Sequence, residues 1–196
     1  MGLSLKTAPS VEPVLFAEQK TFMRETSAVE NADITKYLLV ARRTAEKRTW
    51  RQFITATWTL TFDSFPSGDT IEFPKTPLQT VTHVKYTDTS DVLQTFSSGS
   101  YQVVTDALDG VGYLKLLSGE SWPSDVKTVD NVVTIEYVAG YGDAGTDVPE
   151  EAKMGIKYIC ADIYTNRTDT IQGTIVANIP HAADYWLRFV TARRVA

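Results

Sequence analysis

The sequence predicts an α+β fold: a small helical domain of about four helices, built from both ends of the chain, carrying an inserted antiparallel β subdomain. Two observations predict it. Apolar residues recur at helical spacing near the N-terminus and again beyond residue 147, and at a period of two in between. Gly, Asp, Ser and Pro interrupt the middle every few residues, as turns between short strands do. The boundaries fall at 1–51 and 147–196 for the helical domain and at 52–146 for the insertion.

Residues 14–25 (VLFAEQKTFMRE) place Leu15, Phe16, Phe22 and Met23 on one helical stripe, with Pro13 suited to the first turn. After the polar break TSAVEN, Ile34, Tyr37, Leu38, Ala41 and Ala45 repeat at helical spacing behind Asp33, a candidate N-cap. The period then becomes two. In ITATWTLTF, Ile54, Ala56, Trp58, Leu60 and Phe62 alternate with Thr55, Thr57, Thr59 and Thr61, so one face is apolar and the other a ladder of threonines. Further strands are predicted over 71–73, 81–86, 92–96, 101–104, 112–117 and 132–138.

Pro74 and Pro77 stiffen the entry to the strand at 81–86, because a fixed φ and a missing N–H confine each to a sheet edge or a strand entrance. Val81, His83 and Lys85 then fall on one face and Thr82, Val84 and Tyr86 on the other. The helical period returns with the D-x-x-E start of Asp147 and Glu150, Pro149 in the first turn, and Ala152, Ile156, Ile159, Cys160 and Ile163 along one face. Residues 180–190 carry Ala183, Trp186, Leu187 and Val190 at helical spacing.

At 196 residues, 43% hydrophobic and 22% charged, the chain has enough apolar material for one sizeable core or two small ones. A formal net charge of −5 argues against a whole surface that grips nucleic acid, since phosphate recognition relies on cations displacing counterions, so any DNA contact must be local. The single cysteine, Cys160, excludes an internal disulfide, and the two histidines, His83 and His181, give no zinc-ligand spacing. No apolar run reaches the roughly 18 residues a membrane span needs, and residues 1–10 lack a signal-peptide core. The expectation is a protein that works inside a cell or belongs to something assembled there. Without a secretory signal, the sequon-like Asn166-Arg167-Thr168 reads as chance.

Gly140, Gly142 and Gly145 in GYGDAG fit G-x-G-x-x-G between a predicted strand and a predicted helix. A dinucleotide-binding first strand is buried on both faces, whereas VVTIEYV exposes Thr134 and Glu136 in alternation, and the helix starts too late to hold the third glycine. The segment reads as a flexible joint and a candidate contact loop, mobile until a neighbour orders it. No nucleophile elbow or triad context occurs. His83 reads as a strand-surface residue, Cys160 as a small buried hydrophobe, Glu150 and Glu151 as a helix start, and Asp88 and Asp91 as a turn. No catalytic residue, metal ligand or cofactor site is expected. The run ARRTAEKRTWR gathers Arg42, Arg43, Lys47, Arg48 and Arg51 at the end of the second helix, and Arg188, Arg193 and Arg194 crowd the C-terminus. Such cations complement helix dipoles, or form local patches for DNA or an acidic partner, and both readings stay open.

In order along the chain, these segments resemble the head-tail connector (adaptor, head completion) proteins of long-tailed bacteriophages and gene transfer agents. The resemblance rests on EPVLFAEQKTFMRE, LLVARRTAEKRTWRQFITATWTLTFDSFP, IEFPKTPLQTVTHVKYTD, the segment 101–104, Trp122-Pro123, VTIEYVAGYG, VPEEAKMGIKYICADIYTNR and LRFVTAR. One departure is that TAEKRT lacks the glycine expected near the end of the second helix. The resemblance implies a structural virion protein and not an enzyme. It implies a homo-oligomeric ring, twelvefold in the virion, beneath the portal protein, extending the channel for double-stranded DNA passed without sequence preference. It further implies a platform for the tail and its completion or terminator protein, at the neck of a virion assembled in the host cytoplasm, with no cofactor. The candidate contacts are Arg42, Arg43, Lys47, Arg48, Arg51, Trp186, Arg188, Arg193 and Arg194. Residues 180–196, short for an independent helix and ending in a cationic tail, either dock onto neighbours or the portal or pack on the subunit's own helices. The rival classes are a carbohydrate- or receptor-binding tail or baseplate module using Trp58, Tyr86, Tyr113 or Trp122, and a small nucleotide-dependent enzyme.

Overall fold

Val133, Ile135, Tyr137 and Ala139 are buried and alternate with half-buried Thr134, Glu136 and Val138, so this run forms the central strand of a sheet. The computed structural model describes residues 1–105, 111–166 and 181–192. These fall into two compact units, one drawn from Met1–Pro9, Thr55–Tyr141 and Ala192, the other from Ser10–Ile54 and Gly142–Thr191. The fold class is the mixed α+β one that the two periods predict.

The first unit is built from β1 (Gly2–Thr7), β2 (Ala56–Phe62), β3 (Thr70–Glu72), β4 (Leu78–Thr87), β5 (Leu93–Phe96), β6 (Tyr101–Val104), β7 (Tyr113–Leu116) and β8 (Val133–Ala139). A five-stranded sheet has the order β1-β2-β8-β4-β5 and a three-stranded sheet the order β3-β7-β6, with every pairing antiparallel. Leu60, Val84, Ile135 and Tyr137 from the larger sheet share one core with Ile71, Tyr101 and Leu114 from the smaller. Trp122 stacks on Phe65 at 4.9 Å between centroids, and Phe96 stacks on Tyr101 at 5.8 Å.

Pro74 and Pro77 lie between β3 and β4, and Thr76-Pro77 is a cis peptide. The register of β4 differs from the sequence expectation. Its pairing with β8 slips between Leu78 and Thr80 and again between Val81 and His83. Each slip adds a residue that reverses the alternation, so Val81 packs on the core beside Val84 and Tyr86, not on the opposite face. Residues 1–9, assigned from sequence to the helical domain, also differ: β1 pairs with β2 and belongs to the sheet.

The second unit holds α1 (Phe16–Met23), α2 (Asn31–Thr49), α3 (Glu150–Thr165) and α4 (His181–Leu187). Ile34, Leu38, Ala41 and Ala45 of α2 and Ala152, Ile156, Ile159 and Cys160 of α3 are the buried stripes read from the period. The starts shift by a few residues. Glu30, not Asp33, is the N-cap of α2, Pro13 precedes α1, and Pro149 caps α3 from outside. Asp147 instead closes a 3₁₀ turn, where its Oδ2 accepts from Ala144 N at 2.9 Å. The missing glycine after TAEKRT has its counterpart here: Trp50 ends α2 in the left-handed region at φ 58°. Among the described residues no helix is long and apolar enough to cross a membrane.

Candidate functional site

The basic run on α2 divides by depth. Arg42 is buried: its Nε donates to Glu12 Oε2 at 2.7 Å and its Nη1 to Glu46 Oε2 at 3.0 Å. Burial works against the guanidinium charge, but the bonds to Glu12 and the field of Glu46 outweigh it and raise its pKa above the ordinary value. Arg51 is also buried, its Nε donating to the Val190 carbonyl at 3.0 Å. Both were candidate surface contacts from sequence, and both guanidiniums are occupied within the unit. A buried arginine needs such partners, and a helical stripe seen in one dimension does not reveal them.

Arg43, Lys47 and Arg48 remain exposed. Arg48 Nη1 pairs with Asp184 Oδ1 at 2.8 Å, which sets the exposed end of α2 beside α4. On α4 and the turn after it, Ala183, Leu187 and Val190 are buried and Tyr185, Arg188 and Phe189 are exposed. Arg188 lies 4.4 Å from the Tyr185 ring centroid and 4.9 Å from that of Phe189. Trp186 is half-buried, edge-on to Tyr185 at 5.3 Å. Thus the described part of the last segment does complete its own core, contrary to the docking expectation, and offers its other face to solvent. Arg193 and Arg194 lie outside the described residues.

The end of α2 and the outer side of α4 bring together Arg48, its partner Asp184, Tyr185, Arg188 and Phe189 as an exposed patch that is cationic and aromatic, while Arg43 and Lys47 are exposed elsewhere on α2. The patch can recognise carboxylates, phosphates or an aromatic-rich protein surface.

The glycine loop is hydrogen-bonded within the chain. Gly140 donates to the Pro77 carbonyl at 2.9 Å and accepts from Gln79 Nε2 at 2.9 Å. Gly142 bridges Ile54, and a Cβ there would stand 2.2 Å from Asp147 Oδ2. Gly145 opens the 3₁₀ turn that precedes α3.

The aromatics that a carbohydrate site would present are packed. Trp58 and Trp122 lie against the β core, Tyr86 is part of it, and Tyr113 is half-buried. Trp122 Nε1 donates to the Gly68 carbonyl at 2.7 Å. His83 is half-buried with Nε2 3.8 Å from Glu136, which also binds Lys6 at 2.5 Å. Asp88 accepts from Gln94, Val92 N and Ser90 N, and these bonds, Gln94's first, hold its carboxyl below the ordinary range and shape a turn. Glu150 pairs with Lys153 at 2.5 Å. Among the described residues no group of three or more His, Cys, Asp or Glu is placed to hold a metal ion. A cleft of about 500 Å³ beside α1 is lined by Ala17, Glu18, Thr21, Phe22 and Lys157, and Lys157 Nζ lies 3.5 Å from Glu18.

No protein-family profile matches the chain, and no curated protein is similar to it. Solved structures do share its fold. A chain in the virion of a native gene transfer agent particle superposes with a TM-score of 0.82 at 23% identity, covering 100% of this chain and 98% of that one. A chain in the neck of the native particle, computed with C12 symmetry, gives 0.81 at 22%, with the same coverage. One in the neck of the empty particle, computed with C6 symmetry, gives 0.77 at 21%, again over 100% and 98%. From end to end, then, the chain has the fold of a chain in the neck of gene transfer agent particles.

Proposed function

We propose that the protein is a structural neck subunit of a phage-like particle: a head-tail connector that forms a ring under the portal, continues the DNA channel and seats the tail. The observation that carries this is the full-length likeness, both units included, to chains of gene transfer agent necks. Copies would form a homo-oligomeric ring, twelvefold in keeping with the C12 symmetry of the neck that contains the similar chain. Portal protein, tail completion protein and passing double-stranded DNA would be its neighbours, and catalysis would play no part.

The cationic and aromatic face is the candidate for one of these contacts. Arg48 and Arg188 would meet acidic protein or phosphate while Tyr185 and Phe189 supply apolar area, and Arg43, Lys47, Arg193 and Arg194 are further candidate contacts. Arg51, bonded to the Val190 carbonyl, would support this face from within, and the loop of Gly140, Gly142 and Gly145 would be a separate subunit or partner contact. The protein would be made in the host cytoplasm and end in the virion. The test is omission: an assembly extract lacking this protein should accumulate DNA-filled heads without tails, and purified protein should restore tailing. Tailed, DNA-delivering particles formed in its absence would overturn the proposal.

A further inference from the structure

The five-stranded sheet is open at both ends. Among the described residues no strand lies beyond β1 on one side or β5 on the other. Both edges are apolar at the solvent: Leu3 and Leu5 on β1 are 38% and 44% exposed, and Leu93 on β5 is 62% exposed. An exposed edge presents N–H and C=O groups that pair with any free strand, and soluble proteins blunt such edges with charge, proline or a bulge. β1 carries Lys6 and a bulge after Leu5, both near its end. β5, LQTF, has no charge and no proline, and pairs with β4 without a slip.

The two edges match. Leu3 and Leu5 lie opposite Leu60 and Trp58, on the core side of the sheet. Gln94 and Phe96 lie opposite Tyr86 and Val84, on that same side. With β5 of one copy beside β1 of the next, the core-side row would run on through Leu3, Leu5, Gln94 and Phe96, and the outer row through Ser4, Leu93 and Thr95. Five antiparallel strands make β1 and β5 run the same way. Copies related by rotation about a ring axis therefore meet with parallel strands, head to tail, and heterologous contacts of this kind close into a ring when the rotation closes and run on as a filament when it does not. Pairing β1 with β1 about a twofold axis would stop at a dimer and leave β5 open.

The geometry points to a second copy of this chain as the occupant of the edge, β5 of one subunit pairing in parallel with β1 of the next, as a contact that closes the ring. This rests on the ring described under Proposed function. A four-residue strand gives a small junction. Copies held by it alone stay apart when free and join when a template aligns many junctions at once.

Sedimentation of the wild-type protein, alone and with purified portal rings, reports first whether copies assemble. Monomers in both conditions overturn the ring and this contact together. Where copies assemble, the variant Ser4→Cys with Thr95→Cys is oxidised with glutathione disulfide, its native Cys160 being buried. Non-reducing electrophoresis should show a ladder of dimers, trimers and higher species, which neither single variant gives. Oxidation that stops at dimers in an assembled sample overturns the edge contact and leaves the ring standing. A second variant, Leu3→Lys with Leu5→Lys, should still unfold cooperatively, at a somewhat lower melting temperature, yet remain monomeric where wild type assembles, and wild-type assembly by it overturns the contact as well.

Discussion

Arg42 and Glu12 are joined by two bonds, Nε to Oε2 at 2.7 Å and Nη2 to Oε1 at 3.2 Å, and the same guanidinium reaches Glu46 at 3.0 Å. Glu46 is buried and also accepts from Gln52 Nε2 and Phe53 N. A single arginine thus ties the segment before α1 to the middle of α2 and balances two carboxylates. Its neighbour Arg43 points to solvent.

These two adjacent cations should respond differently to replacement. Arg42→Met strands the buried Glu46 carboxylate and should destabilise the protein by about 3 kcal/mol, the low end for a broken buried pair because Glu46 keeps other donors. Arg43→Glu should change stability by no more than about 0.5 kcal/mol. Urea denaturation measures both, and equal losses would contradict the division of the basic run by depth.

Gly155 on α3 faces Leu187 on α4, and a Cβ at 155 would stand 2.5 Å from Leu187 Cδ2. Leu187 is buried and has little room to yield. Replacement by valine regains a few tenths of a kcal/mol in helix propensity, but overpacking costs about 1–3 kcal/mol and wins. Gly155→Val should lower the melting temperature by several degrees, at about 2–4 °C per kcal/mol for a chain of this size. Hydrogen exchange in α4 should quicken as well. An unchanged melting curve would show that α4 is not docked on α3.

Burial pushes the Cys160 thiol from an ordinary 9.0 up to about 12. The native state therefore keeps a proton that the unfolded chain releases above about 9, so this contribution to stability is intact below that pH and is lost as pH rises from 9.0 towards about 12. Cys160→Ala should flatten the alkaline limb of the stability profile. In native buffer at neutral pH, labelling by an aromatic disulfide should proceed only as fast as the helical unit opens and should accelerate with denaturant. Immediate stoichiometric labelling would contradict the burial.

Much of this architecture is legible in one dimension, because the period of apolar residues reports which face of an element is buried. The stripes of α2 and α3 and the alternation of β8 follow directly from Ile34 to Ala45, Ala152 to Cys160 and Val133 to Ala139. In β4 the period misleads: an extra residue at Thr82 leaves no trace in composition yet moves Val81 to the other face. β1 did leave a signal, Leu3 and Leu5 alternating with Ser4 and Lys6, but it is too short to stand out before its partner β2 is known. The basic run was visible, whereas the burial of Arg42 and Arg51 depends on Glu12, Glu46 and the Val190 carbonyl, which only the fold brings close.

The proposed role as a ring-forming neck subunit that docks on a portal is decided by electron microscopy of the purified protein mixed with its cognate portal rings. A neck subunit should give a second ring stacked coaxially on the portal, twelve copies in keeping with the C12 symmetry of the neck that holds the similar chain. Portal rings left bare at saturating concentrations of a folded protein, or decorated by scattered single copies, would contradict it.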